Sequence, residues 1–190
     1  MNAENLSRLV LPITFLIWVV YGFLTGFGQW PWAVVFGLVS ALVLVAIVLI
    51  SRKVTVKLMD WTMLGYFVLA ACATFIARLP AFPKYGSVII WLMYALVAWG
   101  SILAGRPFTL QYARESAPPE HWQNPAFLRA NLIISVVWGL AFVLNIVMVV
   151  IALNPTDYPL MMGAVAPILT LAAASIFTTR YTKIVQARAR

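Results

Sequence analysis

The chain has 190 residues, of which 64% are hydrophobic and only 9% charged, with a formal net charge of +8. A soluble domain carries roughly 25% charged residues, so an ordinary soluble fold is excluded. The 13 cations are scattered and no recognition motif accompanies them, which argues against a nucleic-acid partner.

Six apolar segments, none holding an Asp, Glu, Lys or Arg, run along the chain in order: Leu9–Phe27, Trp32–Ile50, Trp61–Ala77, Ser87–Leu103, Ala130–Leu153 and Leu160–Phe177. Each matches the length a helix needs to cross a hydrocarbon core of about 30 Å at about 1.5 Å per residue. A strand barrel would show alternating polarity instead of continuous apolar runs. The expected fold is therefore all-α: a single domain over residues 1–190, built as a six-transmembrane-helix bundle. The first span has no small-residue cleavage site behind it and is expected to be retained. Cys72, in the third span, cannot form an internal disulfide and is expected to be a small buried side chain.

The connections set the orientation. Counting alternate loops puts 11 cations on one side and 2 on the other. Cations in short loops stay in the cytoplasm, so both termini and the second and fourth loops are expected there. Trp30, Trp32, Trp61, Tyr85, Tyr158 and Tyr181 stand near span ends, where an amphipathic ring suits the headgroup layer. The tight outer connections Thr25–Pro31 and Asn154–Pro159 pair spans one with two and five with six. Pro12 and Pro167 are expected to bend the first and last spans. Gly22-x-x-x-Gly26, Gly37-x-x-x-Ala41 and Ala70-x-x-x-Thr74 offer small-residue packing faces, with a homo-oligomer as one use for them. The halves 1–86 and 87–190 hold three spans each, without matching broken helices.

The fourth loop, Gly105–Arg129, is the longest. Pro107–Arg114 reads as a short interfacial helix with apolar contacts from Phe108, Leu110 and Tyr112, and Pro118-Pro119 ends it. His121-Trp122 and Pro125–Phe127 read as a second surface-lying stretch. Arg106, Phe108, Tyr112, Arg114, His121 and Trp122 are the candidate contact surface, for anionic lipid of the inner leaflet or for protein partners.

Chemistry-bearing groups are few: one His, one Cys and five acids. His121 with Glu115 and Glu120 is the only beginning of a zinc site, and such a surface cluster is expected to be solvated. No nucleophile elbow or phosphate loop exists. An enzyme, a cofactor and a metal are not expected. In the fifth span Asn131, Trp138 and Asn145 recur every seven residues and share one helix face. An amide deep in lipid is costly unless bonded. Asn145 thus reads either as a bond between helices or, with Ser101 and Ser135, as the lining of a solute path.

The run Trp91…Gly100-Ser101-Ile-Leu-Ala-Gly105-Arg106-Pro107-Phe108, then Trp122, Asn131, Trp138 and Asn145, resembles the bacterial intracellular septation protein A family over about Trp61 to Leu153. The resemblance implies a multi-pass protein of the bacterial inner membrane that serves cell-envelope maintenance, elongation or division through partners. It implies no catalytic residues. The alternative is a small channel or transporter for a neutral or anionic solute. The absence of intramembrane charge weighs against proton or cation coupling.

Overall fold

Every regular element among the described residues is helical. The computed structural model describes residues 3–51, 55–154, 163 and 165–188. Arg52, Lys53, the expected outer turn beyond Asn154 (Tyr158 included) and the opening of the expected sixth span lie outside them. In chain order the helices are α1 (Ala3–Gly26), α2 (Trp30–Ser51), α3 (Leu58–Ala71), α4 (Phe82–Leu103), α5 (Thr109–Ser116), α6 (Pro125–Ala152) and α7 (Ala166–Arg188). A π turn, Cys72–Ile76, prolongs α3, and a 3₁₀ turn, Pro119–His121, follows α5.

Four of these helices are long and apolar enough to cross a bilayer: α2, α3 with its π turn, α4 and α6, of 22, 19, 22 and 28 residues. That is the make-up of a membrane protein. They coincide with the expected second to fifth spans, while α1 and α7 occupy the expected first span and most of the sixth.

Several helices begin earlier than the apolar runs suggest, because polar groups start them. Asp60 Oδ2 accepts the Lys57 N–H at 3.1 Å, so α3 opens on a charged first turn before the apolar segment. Asn124 Oδ1 accepts the Ala126 N–H at 2.8 Å and Pro125 takes the first helical position of α6. Pro125–Phe127 is therefore helix rather than a surface-lying stretch. α1 runs unbroken through Pro12, and Pro167 is only the second residue of α7.

The chain divides into two compact units, Met1–Gly86 and Ser87–Arg190. In the first, α2 packs on both α1 and α3. Its centre is aromatic. The Tyr21 and Tyr66 hydroxyls are 2.7 Å apart, and Trp18 stacks on Phe67 with centroids 5.1 Å apart. Phe67 is fully buried and reaches Gly37 of α2 so closely that a Cβ there would lie 2.0 Å from the ring. Glycine is required at that position because the ring occupies the space a side chain needs. Trp30, expected at the headgroup layer, instead points inward: its Nε1 donates to Thr74 Oγ1 at 2.9 Å and its ring packs on Phe82. Trp32 keeps the outer position, 68% exposed.

Two expectations are corrected here. A Cβ added at Gly22 or Gly26 would meet nothing within 4 Å, so these two glycines form no packing face among the described residues. Cys72 is exposed, because the π turn swings it off the packed face that Ala70 and Ala73 keep. Arg78 then closes the turn with a left-handed backbone, φ 49°, and Leu79 N–H bonds back to the Ala73 carbonyl at 2.9 Å.

In the second unit α6 packs along α7, and α5 lies on α6. α4 meets α6 through rings: Phe142 stacks on Trp91 and Tyr94 at 6.2 and 5.4 Å, and Trp99 lies over Gly139.

Gly37→Ala is expected to destabilise the protein by about 1–3 kcal/mol through overpacking against Phe67. The companion change Phe67→Leu should recover part of the loss, and Gly22→Ala should be neutral. Unfolding of the detergent-solubilised protein by titrated SDS reads all three.

Candidate functional site

The most constructed part of the second unit begins where α4 stops. Gly105 adopts φ 69°, its N–H bonds to the Ile102 carbonyl and the Arg106 N–H bonds to the Ser101 carbonyl, both at 2.9 Å. This pair of bonds around a left-handed glycine is a Schellman stop, and Pro107 prevents the helix from resuming. The Gly105-Arg106-Pro107 sequence thus has a mechanical meaning. It terminates α4 and leaves Arg106 at the rim.

Three buried hydroxyls then tie the returning chain to the bundle. Ser101 Oγ donates to the Ala98 carbonyl at 2.7 Å and accepts the Phe108 N–H at 3.0 Å. Thr109 Oγ1 donates to the Asn131 carbonyl at 2.8 Å. With its one proton committed there, it receives the Ser135 hydroxyl, also at 2.8 Å, while the Thr109 N–H approaches Ser135 Oγ at 3.4 Å. Ser101 and Ser135, expected as path lining or as helix contacts, both take part in the seat of α5. Ser135 is fully buried.

The helix held there starts at Thr109 rather than Pro107, and ends at Ser116 because Ala117 must be extended before Pro118. Its inner side carries Phe108 and Leu110, both buried, with Tyr112 edge-on to Phe108 at 6.5 Å. Its outer side carries Arg114, whose guanidinium sits 5.4 Å from the Trp122 ring. Trp122 is fixed in turn by its Nε1 donating to the Ala117 carbonyl at 3.0 Å. His121 closes the 3₁₀ turn and is exposed. Between these pieces lies an open cleft of about 390 Å³, lined by Arg106, Pro107, Leu110, Gln111, Arg114 and Gln123. Two cations and two amides face it, and among the described residues no acid lines it.

The seven-residue series on α6 divides its work. Asn131 turns back on its own helix, its Nδ2 donating to the Phe127 carbonyl at 2.9 Å. Trp138 and Asn145 both engage α7: Trp138 Nε1 donates to Thr178 Oγ1 at 3.0 Å, and Thr170 Oγ1 donates to Asn145 Oδ1. The Thr170 hydroxyl also lies 2.9 Å from the Pro167 carbonyl. Asn145 is fully buried and its Nδ2 has no partner among the described residues, nor has Trp99 Nε1. Ten residues, about 15 Å of helix, separate Asn145 from Ser135, so the two do not share a site.

Thr109, Gln111, Gln123, Thr170 and Thr178 join the site only through the structure. A threonine following a helix stop and a proline is a signal for Thr109. Thr170 and Thr178 carry only a spacing of eight on a segment that otherwise reads as apolar.

No protein-family model matches the chain, and neither a curated protein nor a solved structure matches it.

Thr109→Val removes the donor to Asn131 and the acceptor for Ser135. It should lower stability by about 1–3 kcal/mol and expose the α5 amides to hydrogen exchange at least tenfold faster. Combining it with Ser135→Ala should cost less than the sum of the two, because each single change strands the other's hydroxyl.

Proposed function

We propose that this chain is a six-span protein of the bacterial inner membrane, with both termini cytoplasmic, that acts without catalysis in envelope maintenance or division by presenting the α5 surface to lipid or protein partners. The observation that carries this reading is the buried Ser101–Thr109–Ser135 seat. Three hydroxyls and the Asn131 carbonyl are committed to holding one eight-residue amphipathic helix in a fixed place. A connecting loop needs no such anchoring, since connections tolerate motion and variation, whereas a recognition surface gains affinity from preorganisation. The similarity of Trp91–Asn145 to the septation protein A family supplies the envelope context, and the 11-to-2 division of cations supports the orientation. The transport alternative finds less support, because Ser101 and Ser135 are already bonded and buried.

Membrane-impermeant thiol labelling of a Cys72→Ala background should mark Gln29→Cys from outside and leave Gln123→Cys unmarked in intact cells. A photocrosslinker at Tyr112 or Trp122 in native membranes should give discrete adducts that weaken in the Thr109→Val background. Labelling of Gln123→Cys from outside, or adducts indifferent to Thr109→Val, would count against the reading.

A further inference from the structure

Resting on the reading of α5 as the working surface, we propose that the Arg106–Arg114 cleft binds the phosphate of an anionic phospholipid headgroup. The cleft has the chemistry of a phosphate site. Two guanidiniums supply fork-shaped donors that match phosphate oxygens, and the Gln123 amide is a neutral donor beside them. No carboxylate is among the lining residues. At about 390 Å³ the cleft falls within the range of small-ligand sites, about 300–1,000 Å³. The fold sets where both residues stand: the backbone N–H of Arg106 closes the Schellman stop on the Ser101 carbonyl, and the Arg114 guanidinium is seated over Trp122.

The depth of the cleft selects a lipid over a soluble phosphate. Leu92, Leu96 and Leu103 form one exposed stripe along α4, with Leu103 86% exposed, and Arg106 comes three residues after its end. Large apolar side chains exposed along a bilayer-length helix are contacts for acyl chains, and the first cation beyond them stands at headgroup level. Pro107 and Leu110, both buried, give the lining of the cleft an apolar part of its own. A diacyl lipid lying along the leucine stripe therefore brings its phosphate to Arg106 and Arg114. A water-soluble phosphate would gain nothing from that stripe.

The test uses the full-length chain in detergent micelles doped with palmitoyl-oleoyl phosphatidylglycerol or phosphatidylcholine, with bound lipid counted by native mass spectrometry. The expected result is at least tenfold preference for phosphatidylglycerol, lost in Arg106→Gln/Arg114→Gln. It should be kept in part by Arg106→Lys/Arg114→Lys and fully by Arg180→Gln, an exposed cation on α7. Hydrogen exchange of α5 should be unchanged in all variants. Equal retention of the two lipids overturns the proposal, as does a loss in Arg180→Gln as large as in the double variant. Displacement of phosphatidylglycerol by millimolar inorganic phosphate overturns the lipid assignment in favour of a free phosphate site. Discrete protein adducts from a crosslinker at Tyr112 alongside equal lipid retention would sink this inference and leave the α5 reading standing. Absence of both would sink the two together.

Discussion

A polar group inside a bilayer has no water to fall back on, and the arrangement of this chain follows from that. Helices satisfy the backbone from within. What remains is a small set of side-chain hydroxyls, amides and indoles, and several of them, among the described residues, join one segment to another. Tyr21 reaches Tyr66, Trp30 reaches Thr74, Trp138 reaches Thr178, and Thr170 reaches Asn145. Because lipid tails are as apolar as leucine, helices gain little by hiding apolar surface from them, and close packing together with such bonds decides who neighbours whom. Each bond contributes only about 0.6–2 kcal/mol, yet each is worth little to any other pairing, so together they specify one arrangement.

The same constraint explains the segment between α4 and α6. Its 21 residues from Ala104 to Asn124 leave the apolar region, and they do so under control: a left-handed glycine stops α4, a serine receives the next free N–H, and a threonine–serine pair fixes the start of α5. The three hydroxyls face the bundle together with Phe108 and Leu110, while the two arginines, Gln111 and Glu115 are exposed. Structure and electrostatics are thus separated by side of the helix, as an amphipathic element at an interface requires.

Much of this is legible in the sequence, for reasons that differ by residue. The four long apolar helices announce themselves by charge exclusion, which is a strong and local signal. The short helix after Pro107 is legible from proline punctuation. Its starting point is not, because Thr109 begins it through a bond to Ser135, 26 residues away. Asn145 reads from sequence as a bond between helices and makes one, but its partner Thr170 belongs to a segment whose polarity is too sparse to flag. Ser101 and Ser135 stand out in the sequence as polar groups inside apolar spans. Composition alone cannot show that a returning backbone takes up both hydroxyls. Small-residue motifs are the least informative. Phe67 leaves no room for a Cβ at Gly37, while a Cβ at Gly22 or Gly26 would meet nothing among the described residues, and only the neighbouring helix distinguishes them. Cys72 leaves the packed face for a similar reason: a π turn adds a residue to one cycle of the helix and changes which side chains look inward.

The two bonds from α6 to α7 lie seven residues apart on one helix and eight on the other, running in opposite directions. They act as a pair of bolts through two antiparallel rods. Sliding α7 by one turn would shear both at once and leave an indole and a carboxamide without acceptor or donor in an anhydrous medium. The two bonds therefore resist sliding of α7 along α6. The α5 segment is seated on the same helix, so the register these bonds hold is also the one on which its seat is built.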